Sequence, residues 1–212
     1  MTNVDNQQKV FIFDFDGTIA DTFPFTMEIV RMMAKEIGRE DEVGQLLSEF
    51  KQYGSRHLLK KYKMPVFKFL RYIKRAQKIL SENTHEIKIF PGIESILKEL
   101  AKEGTRLCIL SSNNKRNITE VLKVNEVLHF FEFIHAGSSP FGKAKRLSRL
   151  VRKYHFDQEN TYYFGDELAD ISAAETAGVH SVAVTWGFNS KESFSPLNPD
   201  YTLDKVEEIL SL

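Results

Sequence analysis

Val10-Phe11-Ile12-Phe13-Asp14-Phe15-Asp16-Gly17-Thr18 is the stretch that decides how this chain is read. Its four leading apolar residues form an unbroken run, which predicts a short strand buried on both faces. Gly17 ends the run, so Asp14 and Asp16 fall where strand gives way to loop. In open α/β sheets that edge is where ligands bind. Two carboxylates there, with the Thr18 hydroxyl and the N–H groups of the turn, suit chemistry on an anion held by a divalent metal. A strand ending in a polar turn, with each Asp bonded to its own backbone, has the same spacing. The rest of the chain must separate the two.

The bulk properties narrow the class. The chain has 212 residues, enough for one well-buried domain or one carrying a smaller insertion. At 42% hydrophobic and 27% charged it reads as a soluble globular protein. Its formal charge is zero, so total charge makes no case for nucleic acid or membrane as a partner. The first eight residues lack a basic stretch followed by an apolar one, so no signal peptide is expected. No apolar run approaches the roughly 20 residues that a membrane span requires. A single cysteine, Cys108, cannot form an internal disulfide and fits a reducing cytoplasm.

Further strands are expected at Arg106 to Leu110, Phe133 to Ala136, Thr161 to Phe164 and Ser181 to Val184. Helical patterns separate them, at Ile93 to Lys102, Asn114 to Val124, Lys143 to Tyr154 and Ile171 to Ala177. Such alternation predicts an α/β fold: a doubly wound, mostly parallel, five-stranded Rossmann-like sheet with helices on both faces. One interval breaks the pattern. Thr22 to Lys88 reads only as helix, with apolar positions such as Phe25, Ile29, Met32 and Met33 at helical spacing. We therefore expect a core of residues 1–21 and 89–212, with residues 22–88 inserted as a small all-helical domain. From Phe50 to Ser81 that insertion has no Asp or Glu, and Lys68, Arg71, Arg75 and Lys78 share one helix face. This face reads as solvated charge over a small core, or as an anion-attracting patch.

Polar groups recur at the expected strand ends. Ser111-Ser112-Asn113 follows the second strand, and Gly165-Asp166-Glu167-Leu168-Ala169-Asp170 follows the fourth. Lys143 opens a helix, where its charge and the helix N–H groups can neutralise an anion. Each group alone is ordinary turn or cap chemistry. Their common placement makes them a candidate site.

In this order Asp14-Phe15-Asp16-Gly17-Thr18, Ser111, Lys143 and Gly165-Asp166 to Asp170 resemble the four motifs of haloacid-dehalogenase-superfamily hydrolases. The helical insertion is similar to the mobile cap of the phosphoglycolate-phosphatase-like branch. The resemblance covers nearly the whole chain. Two departures are mild: Ser111 stands where Thr is common, and Gly142-Lys143-Ala144-Lys145 lacks the usual Pro, which makes Lys145 a minor rival to Lys143.

The resemblance implies a Mg²⁺-dependent phosphomonoester hydrolase acting on a small phosphorylated metabolite. Asp14 would attack phosphorus and form an aspartyl-phosphate, and Asp16 would protonate the leaving oxygen and then activate water. The metal set would be Asp14, the Asp16 backbone carbonyl and Asp166, with Asp170 holding a water of the metal or orienting Lys143. Thr18, Ser111, Asn113 and Lys143 would bind the phosphoryl group. In the cap, Gly54-Ser55-Arg56 is the segment expected to reach the substrate, with Arg56 meeting an anion. An acid at Asp16 favours phosphate esters over halides, because an alkoxide must be protonated to leave. A phosphomutase of the same superfamily, a phosphorylation-dependent receiver and a silent interaction protein are the alternatives.

Overall fold

The computed structural model describes residues 8–137 and 142–212, with every side chain in them except that of Arg56. Six strands form one sheet: β1 (Val10–Phe13), β2 (Arg106–Ser111), β3 (Phe133–Ala136), β4 (Thr161–Gly165), β5 (His180–Val184) and β6 (Tyr201–Leu203). Their order is β3-β2-β1-β4-β5-β6, and every pairing is parallel. The expected sheet had five strands. β6 was not legible because it is three residues long and two of them are exposed. Side chains pin it instead: Asp200 accepts from the Ser181 N–H and hydroxyl, both at 2.8 Å, and its own N–H donates to the Ser181 hydroxyl at 2.9 Å.

β1 is central because it can be buried on both faces. Phe11 and Phe13 project to one side, where Phe13 stacks on Phe164 with centroids 4.5 Å apart. Helices α4 (Ile93–Lys102) and α5 (Lys115–Val124) cover that side. Val10 and Ile12 project to the other, under α6 (Lys143–Tyr154) and α7 (Leu168–Ala177). Each fully buried side chain of this size contributes about 1.5–3 kcal/mol. The chain leaves β1 toward β2 and β3, then returns to β1's other edge for β4. That reversal opens a crevice at the carboxyl end of β1, which is where Asp14 and Asp16 stand.

Between β1 and α4 lie α1 (Phe23–Glu36), α2 (Val43–Lys61) and α3 (Val66–Glu82). They pack on one another through Met33, Leu58, Phe69 and Tyr72, with Val30, Ala34 and Leu46 behind. The outgoing and returning chains run side by side: the Asp21 N–H donates to the Lys88 carbonyl and the Phe90 N–H to the Ile19 carbonyl, at 2.9 and 3.0 Å. Val66, the first residue of α3, is exposed. Phe69, Tyr72, Ala76 and Leu80 carry the buried stripe of this helix.

The basic face of α3 is partly paired. Lys68 and Arg71 reach Glu36 at the end of α1, at 2.6 and 3.2 Å, and the Tyr72 hydroxyl donates to the same carboxylate. The bond from Lys68, then that from Tyr72, holds Glu36 down at about 2 against an ordinary 4.5. The stabilisation is therefore present above pH 4.5 and is lost as pH falls from 4.5 toward 2. Glu36→Gln should lower the thermal midpoint slightly at pH 7, since solvent screens the cluster, and the difference from wild type should vanish in acid. Melting both proteins across that range tests the staple; an unchanged difference at low pH would remove it.

Candidate active site

The end of β1 supplies two carboxylates with different surroundings. Asp14 is buried; one oxygen accepts from the Phe15 N–H at 2.7 Å and the other from Lys143 Nζ at 2.6 Å. Asp16 is half-buried, and both its oxygens lie 3.1 Å from Asn113 Nδ2. Burial, and then the charge of Asp14, push Asp16 up to about 7. It is therefore placed to carry a proton that an ordinary aspartate would have lost.

Lys143 opens α6 after Gly142, whose φ of 89° is left-handed. Its ammonium also lies 2.5 Å from Asp170. Burial opposes that charge, but Asp14 and Asp170 outweigh it and hold the lysine well above its usual range. Asp170 is fixed in turn by the Tyr163 hydroxyl at 3.1 Å and the Glu167 N–H at 3.0 Å. Burial lifts Asp170 to about 6, less than it would without Lys143.

Asp166 follows β4 and is completely buried. It accepts from the Thr18 hydroxyl at 2.8 Å and the Phe188 N–H at 2.9 Å. Two glycines make room for it. A Cβ at Gly17, where φ is 76°, would lie 2.1 Å from an Asp166 oxygen, and one at Gly187 would lie 2.4 Å from it. Burial, then the charges of Asp170 and Asp14, raise Asp166 well above the carboxylate range.

Carboxylate oxygens of Asp14, Asp166 and Asp170 lie within 4.8 Å of one another. The one ammonium of Lys143 acts on Asp14, Asp16, Glu167 and Asp170 together, and Asp166 stands beside Asp14 and Asp170. Three buried carboxylates gathered around one base call for more positive charge, and the donors are all oxygens. The set fits a hard divalent cation.

Above these groups is a chamber of about 180 Å³ between the sheet edge and α1, α2 and α3. Asp14, Asp16, Ser111, Asn113 and Lys143 line it from below. Thr18 does not line it, because its hydroxyl is committed to Asp166. Gly54-Ser55-Arg56 lies within α2, at a break where Gly54 has φ 74° and ψ 174°. Ser55 lines the chamber, and the side chain of Arg56 lies outside the described ones. At the break, the carbonyls of Phe50 and Lys51 turn to the core and accept from Asn189 Nδ2 at 3.2 and 2.7 Å. Ser190 and Ser193 donate to the same Lys51 carbonyl.

Three further contributors are not among the site residues expected from the sequence. Asn189 is buried and joins α2 to the Leu168 N–H beside Asp166. Asn117 donates to the Gln77 carbonyl of α3 at 2.8 Å and to Asn113 Oδ1 at 3.3 Å, and so links the helical insertion to the side chain holding Asp16. Glu167 lines the chamber, and burial raises it to about 7. Trp186 donates its indole N–H to the Thr18 carbonyl at 3.1 Å.

Residues 11–184 match the model of the haloacid dehalogenase-like hydrolase family. The chain belongs to that family. It is 31% identical over 202 residues to a phosphoglycolate phosphatase of Synechococcus elongatus, across 95% of both chains. With a phosphoglycolate phosphatase of Aliivibrio fischeri it shares 26% over 96% of each. Its fold matches a haloacid dehalogenase-like family hydrolase from Streptococcus pneumoniae with a TM-score of 0.69, at 24% identity, over 97% of this chain and 98% of that one. No described helix is long and apolar enough to cross a membrane.

Proposed function

We propose that this hydrolase is a metal-dependent phosphatase that cleaves phosphomonoesters of small metabolites through an aspartyl-phosphate. The observation that carries the reading is the convergence of Asp14, Asp16, Lys143 and Asp166 from β1, α6 and the end of β4 at one sheet edge. The names of the curated relatives support the reaction class.

Asp14 attacks phosphorus with a carboxylate oxygen while the bond from phosphorus to the leaving oxygen breaks. Asp16 gives its proton to that oxygen, so the product departs as an alcohol. In the second step Asp16 takes a proton from water, whose oxygen attacks phosphorus and releases inorganic phosphate and free Asp14. Ser111 donates to a phosphoryl oxygen, and Lys143, oriented by Asp170, balances its charge. Asn113 positions Asp16, and Thr18 positions Asp166 rather than the substrate. Mg²⁺, held by Asp14, Asp166 and the Asp16 carbonyl, would neutralise phosphoryl charge when bound. Residues 22–88 form the cap domain over this chemistry, and the enzyme works in the cytoplasm.

Hydrolysis of p-nitrophenyl phosphate tests the assignment. Phosphate release should require Mg²⁺, stop in excess EDTA and return when Mg²⁺ is restored. Undiminished release in EDTA would reject the metal-dependent mechanism.

A further inference from the structure

The helical insertion walls the chamber above Asp16 mostly with apolar side chains. Phe25 and Ile29 come from α1, Phe50 from α2, and Phe69, Ile73 and Leu80 from α3. The insertion's polar contributions are hydroxyls and one amide, and none of its described side chains on this wall carries a charge. Among the described side chains that line the chamber, the charged ones come from the sheet edge: Asp14, Asp16, Glu167 and Lys143. Lys143 is already paired with Asp14 and Asp170. A second anion on the leaving group would therefore meet hydrocarbon and carboxylates, and taking an ion out of water without a partner is strongly unfavourable. An uncharged apolar group gains from the same wall.

We propose that this site takes phosphomonoesters whose leaving alcohol is apolar and uncharged, an alkyl, branched or aromatic alcohol. The assignment rests on the phosphatase reading and adds the substrate class. It predicts that phosphoglycolate, with a carboxylate one carbon from the ester oxygen, is a poor substrate of this chain.

The test is kcat/KM of the Mg²⁺-supplemented protein for methyl, propyl, pentyl and benzyl phosphates, and for phosphoglycolate. Their leaving alkoxides are of similar basicity, so differences report the chamber rather than the chemistry. Efficiency should rise about fourfold per methylene until the chamber is full. Benzyl or pentyl phosphate should exceed phosphoglycolate by at least about tenfold. Ile73→Lys places an ammonium on the wall from a half-buried position, and should lower benzyl phosphate and raise phosphoglycolate turnover. Thr26→Lys makes the same test from α1 should the first variant fold poorly.

A preference for phosphoglycolate would overturn the proposal, and its loss in Arg56→Ala would place the missing cation on that residue. Turnover of all the esters without a chain-length trend would overturn the proposal and leave the phosphatase reading standing. Phosphate release from none of them, nor from p-nitrophenyl phosphate, would overturn both.

Discussion

Asp14→Asn should abolish phosphatase turnover, with kcat falling on the order of 10⁴-fold or more, because the variant lacks the attacking carboxylate. An amide is a far weaker nucleophile and contributes no charge to a cation site. The fold should survive. Removing one partner of a buried ion pair usually destabilises, because the other charge is left bare. Here Lys143 keeps Asp170 at 2.5 Å, and the substitution thins a crowd of buried carboxylates. The two effects oppose, so the thermal midpoint should move by only a few degrees, about 1 kcal/mol for a protein of this size. Phosphate release measured beside circular dichroism and melting decides the matter. Wild-type turnover in a folded variant would remove Asp14 as nucleophile. Loss of activity together with loss of structure would make its role architectural.

What the sequence made legible follows from range. β1 could be read because four consecutive apolar residues and a glycine carry the signal locally. The sheet-end groups could be read because Ser111, Lys143 and Asp166 each sit next to a recognisable strand or helix start. β6 could not, because its register depends on Asp200 and Ser181, nineteen positions apart, rather than on any periodicity of its own. Thr18 was legible as a site residue but not in its contact. Only the packed structure shows Asp166 lodged between Gly17 and Gly187 within reach of that hydroxyl. The insertion was plain as helices, and its tie to the core was hidden. Gly54 has a left-handed backbone that breaks α2, and at that break the carbonyls of Phe50 and Lys51 bond Asn189, more than 130 positions away. The apolar positions of α1 and α3 were expected to build a small separate core. Several do, but Phe25, Ile29 and Ile73 also face the chamber, and helical periodicity does not distinguish a wall from a core.

Asp16→Asn should separate the two chemical steps. The substitution keeps the backbone carbonyl and leaves an oxygen to accept from Asn113 Nδ2, so the site's geometry is preserved while the exchangeable proton is lost. General acid–base catalysis is worth about 10²–10⁴-fold, and that loss should fall unevenly. An alkyl phosphate leaves as a strongly basic alkoxide, and its cleavage should drop by about the full range. p-Nitrophenolate leaves without help, so its release in a single turnover should fall less than about tenfold, because protonation contributes little to that step. Hydrolysis of the aspartyl-phosphate still needs a base for water, so the second step should stall with either substrate. Rapid mixing of the variant with p-nitrophenyl phosphate should therefore show a burst of p-nitrophenol near one equivalent, then a slow phase. Wild-type protein should show a smaller burst or none, because its intermediate turns over. Equal losses for alkyl and aryl esters, with no burst, would mean that Asp16 acts by shaping the site around Asp14 rather than by moving the proton.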